Sequence, residues 1–306
     1  MEREKQKAQI DLLYQEVLEY RSSEAFCQML EAIRELPYLS PYNAMLVRLQ
    51  KPGSEFAASP RVWLKKFGRR PKPGVRPLVI LQTFGPIAFV YEYSDTEGPE
   101  IPEGALRSVF VEPFRTNDVI SEAGYRRFVS HLVCEGIRYE EENYGTSLAA
   151  FIHRENGGLQ TIKETARSVH SVKMIARAVV NKNLSSTEKF ASLVHELGHY
   201  FCGHLGSFDT HFIPDRRRLS INIKEFEAET VSWLSCVRLG IDNPSAEYLR
   251  GYLNDNSTIP DVSIDAVLRA AGAVEELIKG PQRPRRQLEA VKKKEPQYAE
   301  QALKFE

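Results

Sequence analysis

Between Val194 and His204 the chain reads VHELGHYFCGH, which puts His195, Glu196 and His199 in the order H-E-x-x-H. On a helix, residues four apart are separated by one turn plus roughly 40°, so both imidazoles project from one face. At that separation they can share a tetrahedral metal ion, and neutral imidazole suits zinc. Glu196 stands beside them, placed to take a proton from a water on that ion. Metal-assisted hydrolysis is the chemistry these residue types allow. The pattern is short, reached by chance in on the order of one chain in a hundred of this length, so its surroundings must decide.

The surroundings predict a helix and a strand. Ser185 and Glu188 form a Ser-x-x-Glu capping box just ahead of an apolar run. Phe190, Leu193, Val194, Leu197 and Phe201 then recur at helical spacing and give one core-facing stripe. Upstream, MIARAVVN (Met174 to Asn181) is rich in β-branched residues and ends on polar turn residues, as a strand does. The expected arrangement is a helix that holds the metal beside a strand whose edge pairs with an extended substrate.

Catalytic zinc usually takes three protein ligands and a water. EFEAETVSWLSCVRLG, Glu225 to Gly240, predicts a second helix with Phe226, Val231, Leu234 and Val237 near its apolar face. Glu225 and Glu229 lie four apart on one face. One can bind the metal while the other accepts the free N–H of a ligating imidazole, and the spacing leaves the choice between them open. Alone, three carboxylates in five residues would read as a solvated helix start, since carboxylates are favoured there. Cys202 reads as a buried apolar side chain rather than a ligand. His204, His211 and Tyr248 are candidates to steady an oxyanion beside the metal, and the sequence does not choose among them.

HELGH, followed by E-x-E-A-E at Glu225 to Glu229 and a helix ending in Leu-Gly-Ile, resembles the ImmA/IrrE-type metallopeptidases. Within them it is most similar to the branch that overlaps the antirestriction ArdC-like proteins. The resemblance covers Arg138 to Leu253 and extends more loosely over Tyr42 to Pro102. It implies that Glu225 completes the metal set with His195 and His199, and that Glu229 stands behind the ligands. It also implies a cytoplasmic bacterial endopeptidase that cleaves a regulatory protein at one or few sites. Zn²⁺ is the expected ion, with Mn²⁺ the alternative, because a mixed histidine and carboxylate site admits both.

The chain of 306 residues, 42% hydrophobic and 27% charged, is an ordinary globular composition with room for one large domain or two. Its formal net charge is zero, so bulk attraction to nucleic acid or anionic membrane is not implied. Four widely spaced cysteines without a C-x-x-C pair read as reduced thiols of the cytoplasm. No apolar run approaches the roughly 20 residues that span a bilayer. Residues 2 to 36 predict two packing helices, Tyr42 to Gln50 a third, and Pro77 to Leu81 with Ile87 to Tyr93 a β-hairpin.

Arg61 to Arg76, RVWLKKFGRRPKPGVR, is the local charge anomaly: seven basic residues and no acidic one, with Trp63 and Phe67 among them. Basic side chains contact phosphates and aromatic rings stack on unpaired bases, so Lys65, Lys66, Arg69 and Arg70 are candidate contacts for single-stranded DNA. The stretch YNAMLVRLQKPG followed by WLKKFGRRPKPG resembles the N-terminal region of ArdC-like proteins, which is associated with such binding. The equally open alternative is a helix anchored by Trp63 and Phe67 with a solvated basic face.

The reading is an α+β protein. Residues 1–118 form an N-terminal helical and β-hairpin module, and 119–278 a zincin-like metallopeptidase domain whose small sheet packs on the HExxH helix. Residues 279–306 make a basic, flexible tail. The rival function is a single-stranded-DNA-binding antirestriction-like protein whose metal site is structural or vestigial.

Overall fold

The computed structural model describes residues 23–82, 85–114, 119–145, 148–165, 167–207, 213–241, 249, 259–280 and 283–293. The predicted helix before residue 23, together with His211 and Tyr248, lies outside them. Eight helices are described: α1 Ser23–Arg34, α2 Pro41–Gln50, α3 Pro60–Phe67, α4 Glu103–Phe110, α5 Glu122–His131, α6 Ser186–Phe201, α7 Ile221–Leu239 and α8 Ile264–Lys279. The strands are β1 Ala57–Ala58, β2 Arg70–Pro71, β3 Leu78–Gln82, β4 Gly85–Glu92, β5 Thr96–Glu97, β6 Ile137–Glu142, β7 Ala150–Arg154, β8 Leu159–Glu164, β9 Ser168–Lys173, β10 Ala176–Asn181 and β11 Glu289–Lys293. The result is a mixed α and β architecture with several small sheets. Among the described residues no helix is long and apolar enough to cross a membrane.

Local chemistry explains most helix starts. Pro41 and Pro60 open α2 and α3, where a missing N–H costs nothing, each behind a serine cap. Ser185 and Glu188 make the reciprocal capping box of α6, an arrangement worth about 1 kcal/mol. All five stripe residues of α6, Phe190, Leu193, Val194, Leu197 and Phe201, are buried. Each such side chain contributes roughly 1.5–3 kcal/mol on leaving water. Helix α7 is buried on most sides: Phe226, Val231 and Leu234 are joined inside by Thr230, Ser235 and Arg238.

The sheet beside α6 has the order β6–β10–β7, with β10 parallel to β6 and antiparallel to β7. This corrects the expected substrate edge. The strand read at Met174 to Asn181 is the centre of the sheet, paired on both sides, and β7 is the edge strand that packs on α6. A second sheet, β11–β9–β8, is antiparallel throughout. Its β11 lies in the segment expected to be a flexible tail. Leu288 is buried with Val172 and Met174 and brings the following residues onto β9. The predicted hairpin is present as β3 and β4, extended by β1.

One apolar core runs from Phe26 and Ile33 on α1 through Met45 on α2 to Leu193, Phe226 and Leu277 on α6, α7 and α8. Arg238 clasps it from inside. Its guanidinium donates to the carbonyls of Ile33 (2.6 Å), Leu36 (3.2 Å) and Leu39 and pairs with Glu275 at 2.5 Å. The carbonyls left open after the end of α1 thus find a donor on α7.

Candidate metal centre

Helix α6 carries His195 and His199 one turn apart, and α7 brings Glu225 against them. The approach depends on Gly198, one residue before His199. A Cβ at that position would lie 2.9 Å from Ala228 Cα and 3.1 Å from its carbonyl oxygen, so only glycine lets the two helix backbones meet this closely.

The Nε2 atoms of His195 and His199 are 3.2 Å apart. Glu225 stands 3.5 Å from each, through Oε2 to His195 and Oε1 to His199. A tetrahedral ion with arms of about 2.05 Å has ligand atoms about 3.3 Å apart. The two nitrogens and the carboxylate, one oxygen toward each ring, therefore outline a site of about the size of one tetrahedral face, with the fourth vertex left over. Two imidazoles and a carboxylate are a donor set for zinc and manganese alike. On dimensions and on chemistry the residues fit a divalent cation.

Surrounding charge tunes the three histidine and glutamate groups differently. Burial, with His195, His204 and Lys224 nearby, drives the His199 pKa down to about 3, so its ring is neutral. Burial also opposes protonation of His195, but Glu229, Glu196 and Glu225 outweigh it and hold the pKa above its ordinary value. Glu229 Oε1 lies 3.4 Å from His195 Nδ1, the ring nitrogen not used in that site. Glu196 is pushed up to about 7, chiefly by burial, with Glu225 and Glu229 adding to it against the pull of His195. Its Oε2 accepts the N–H of Ile152 on β7 at 3.1 Å.

Behind His199 lies a chain of residues that the sequence pattern did not reveal. His199 Nδ1 is 3.0 Å from His204 Nδ1, and His204 Nε2 is 2.8 Å from Glu227 Oε2. Arg216 donates to both oxygens of Glu227, at 2.5 and 2.6 Å, and the Ser263 N–H donates to Oε1 at 2.7 Å. Burial would raise the Glu227 pKa, but these hydrogen bonds win and hold it below the usual carboxylate value. Gly203 makes room for this chain: at φ 78° its missing Cβ would fall 1.8 Å from Pro214 O, where the loop bearing Arg216 returns. His204, a candidate for the oxyanion, is buried on the Nδ1 side of His199 and bonded at both ring nitrogens.

The basic run divides. Arg61, Lys65, Lys66, Arg70, Lys72 and Arg76 are exposed. Arg69 is turned inward, correcting its place among the nucleic-acid contacts. Its guanidinium bonds to Thr96 Oγ1 (2.8 Å), Thr96 O (2.6 Å) and Pro99 O (2.5 Å) and stacks over Tyr93 at 4.4 Å. Trp63 is fully buried, with its indole N–H on Tyr91 O at 2.8 Å, so it is not a base-stacking platform.

No family model matches the chain, and no curated protein does. Among solved structures, the chain is similar to the antirestriction ArdC protein from the R388 plasmid in its Mn(II)-bound form. The identity is 14% and the TM-score 0.35, over 82% of this chain and 95% of that one. The metal-free form of the same protein gives 14% and 0.34, over 77% and 81%.

Proposed function

We propose that the protein is a metal-dependent endopeptidase in which His195, His199 and Glu225 hold the cation and Glu196 is the general base. The observation that carries this reading is the convergence of the two Nε2 atoms, 3.2 Å apart, on the Glu225 carboxylate, which sets one oxygen 3.5 Å from each, with Glu196 on the same helix next to them. A bound Zn²⁺ or Mn²⁺ supplies Lewis acidity there, making water acidic near neutral pH and polarising a carbonyl. Glu196 takes the proton from the attacking water and passes it to the leaving amine. Glu229 accepts from His195 and keeps its ring aimed. Strand β7 offers its edge to an extended peptide. The substrate in this reading is a regulatory protein cut at one or few sites, as the ImmA/IrrE-type resemblance implies.

The test is Glu196→Gln, assayed on a mixed library of internally quenched peptides with metal content measured in parallel. The variant keeps its metal and loses turnover by about 10²–10⁴-fold. Turnover in the variant equal to that of the metal-loaded parent ends the peptidase reading.

A second reading, a single-stranded-DNA-binding antirestriction-like protein with a structural metal, is favoured by six exposed basic residues within Arg61–Arg76. Lys65, Lys66 and Arg70 changed together to alanine then weaken binding of a mixed-sequence oligonucleotide. The change lowers the slope of log affinity against log salt by about 2, at roughly 0.7 per phosphate contact. Binding that is absent, or indifferent to salt, removes this reading.

A further inference from the structure

The buried chain Arg216–Glu227–His204 is unused by the hydrolytic step, yet it ends on a ligand. Its donors and acceptors can be assigned one after another. Glu227 accepts from Arg216 at both oxygens and from the Ser263 N–H, so it meets His204 Nε2 as an acceptor. In the tautomer that donates through Nε2, His204 offers the Nδ1 lone pair to His199. The 3.0 Å contact with His199 Nδ1 then requires His199 to be the donor. The His199 Nε2 is thereby left without a proton, and it faces His195 and Glu225.

We infer that Arg216, Glu227 and His204 are a positioning relay that fixes the tautomer and direction of His199, making it a ligand before any cation arrives. The inference rests on the metal-site reading above. The same region invites a different use, since Cys202, His204 and Glu227 are close enough together to hold a second ion. Arg216 already places a positive charge on both oxygens of Glu227, so a second cation would meet a guanidinium there. The relay accounts for these contacts without one.

Two variants with the same number and branching of side-chain heavy atoms separate the relay from mere packing. His204→Asn keeps an acceptor oxygen near the position of Nδ1, and His204→Leu removes it. Nitrogen-15 spectra of the metal-free protein report the His199 tautomer, and chelator competition reports Zn²⁺ affinity. The parent and His204→Asn hold His199 with its proton on Nδ1 and bind Zn²⁺ alike. His204→Leu loses the tautomer preference and binds roughly 10–100-fold more weakly. An unchanged tautomer and affinity in His204→Leu overturns the relay. So does a parent spectrum with the His199 proton on Nε2, a result that needs no variant to fold. If the parent binds no Zn²⁺, the metal-site reading fails, while the metal-free tautomer still decides the relay.

Discussion

Glu227 shows how a single side chain can be both buried and ionised. It sits inside α7 with both oxygens on Arg216, and its pKa is below the ordinary 4.5. A carboxyl depressed in the folded state adds stability above pH 4.5 and loses it as the pH falls through the folded value. Thermal unfolding followed from neutral pH into acid should therefore steepen below 4.5 in the parent and be flatter in Glu227→Gln. That variant is also less stable at pH 7, because the half-buried Arg216 is left without its counter-charge, a loss of about 3 kcal/mol. The sequence makes two other carboxylates conspicuous here. Glu225 and Glu229 share a helical face and are visible as a pair, whereas Glu227 belongs to the opposite face. Its partners come from a helix end and a loop, where no periodicity announces them. The remaining signal was weak but physical: a glutamate flanked by Phe226 and Ala228 on a core helix needs a cation, and Arg216 is near in sequence.

Helices were legible because caps and stripes are local. Ser185, Glu188 and the five apolar residues of α6 do in the fold what their spacing predicts. Sheet position was less legible. The run ARAVVN has side chains buried on both faces, the mark of a central strand, and the edge role belongs to the less apolar β7. Despite its strand-like composition, VFVEPF (Val109 to Phe114) closes α4 and a following turn, since Phe110 anchors in a cluster with Trp63 and Phe56. The contact between α6 and α7 is a property of the two elements together. Gly198→Ala inserts a methyl group 2.9 Å from the Ala228 backbone, and the helices must part. Overpacking of this kind costs about 1–3 kcal/mol. Because Glu225 rides on α7, metal affinity falls with stability. Differential scanning calorimetry and Zn²⁺ competition on the same preparation check both, and unchanged affinity would show that Glu225 does not depend on the contact.

At the scale of the whole molecule the core joins the N-terminal helices to α6 and α7, and Arg238 is the joint. Arg238→Ala strands Glu275 and unties the carbonyls after α1, a loss of about 3–5 kcal/mol. Since one core is involved, unfolding of the variant remains a single calorimetric transition at lower temperature, and a split into two transitions would refute the joint. Composition could indicate ample core but not its continuity, which arises from pairs such as Ile33 and Arg238 that lie 205 residues apart. Helix α7 runs unbroken from Ile221 to Leu239, about 28 Å at 1.5 Å per residue. Glu225 is near its beginning and the clasp of Arg238 at its end. A rod gripped at both ends behaves as a lever: a shift of the amino-terminal helices reaches Glu225 with no hinge along the shaft to absorb it.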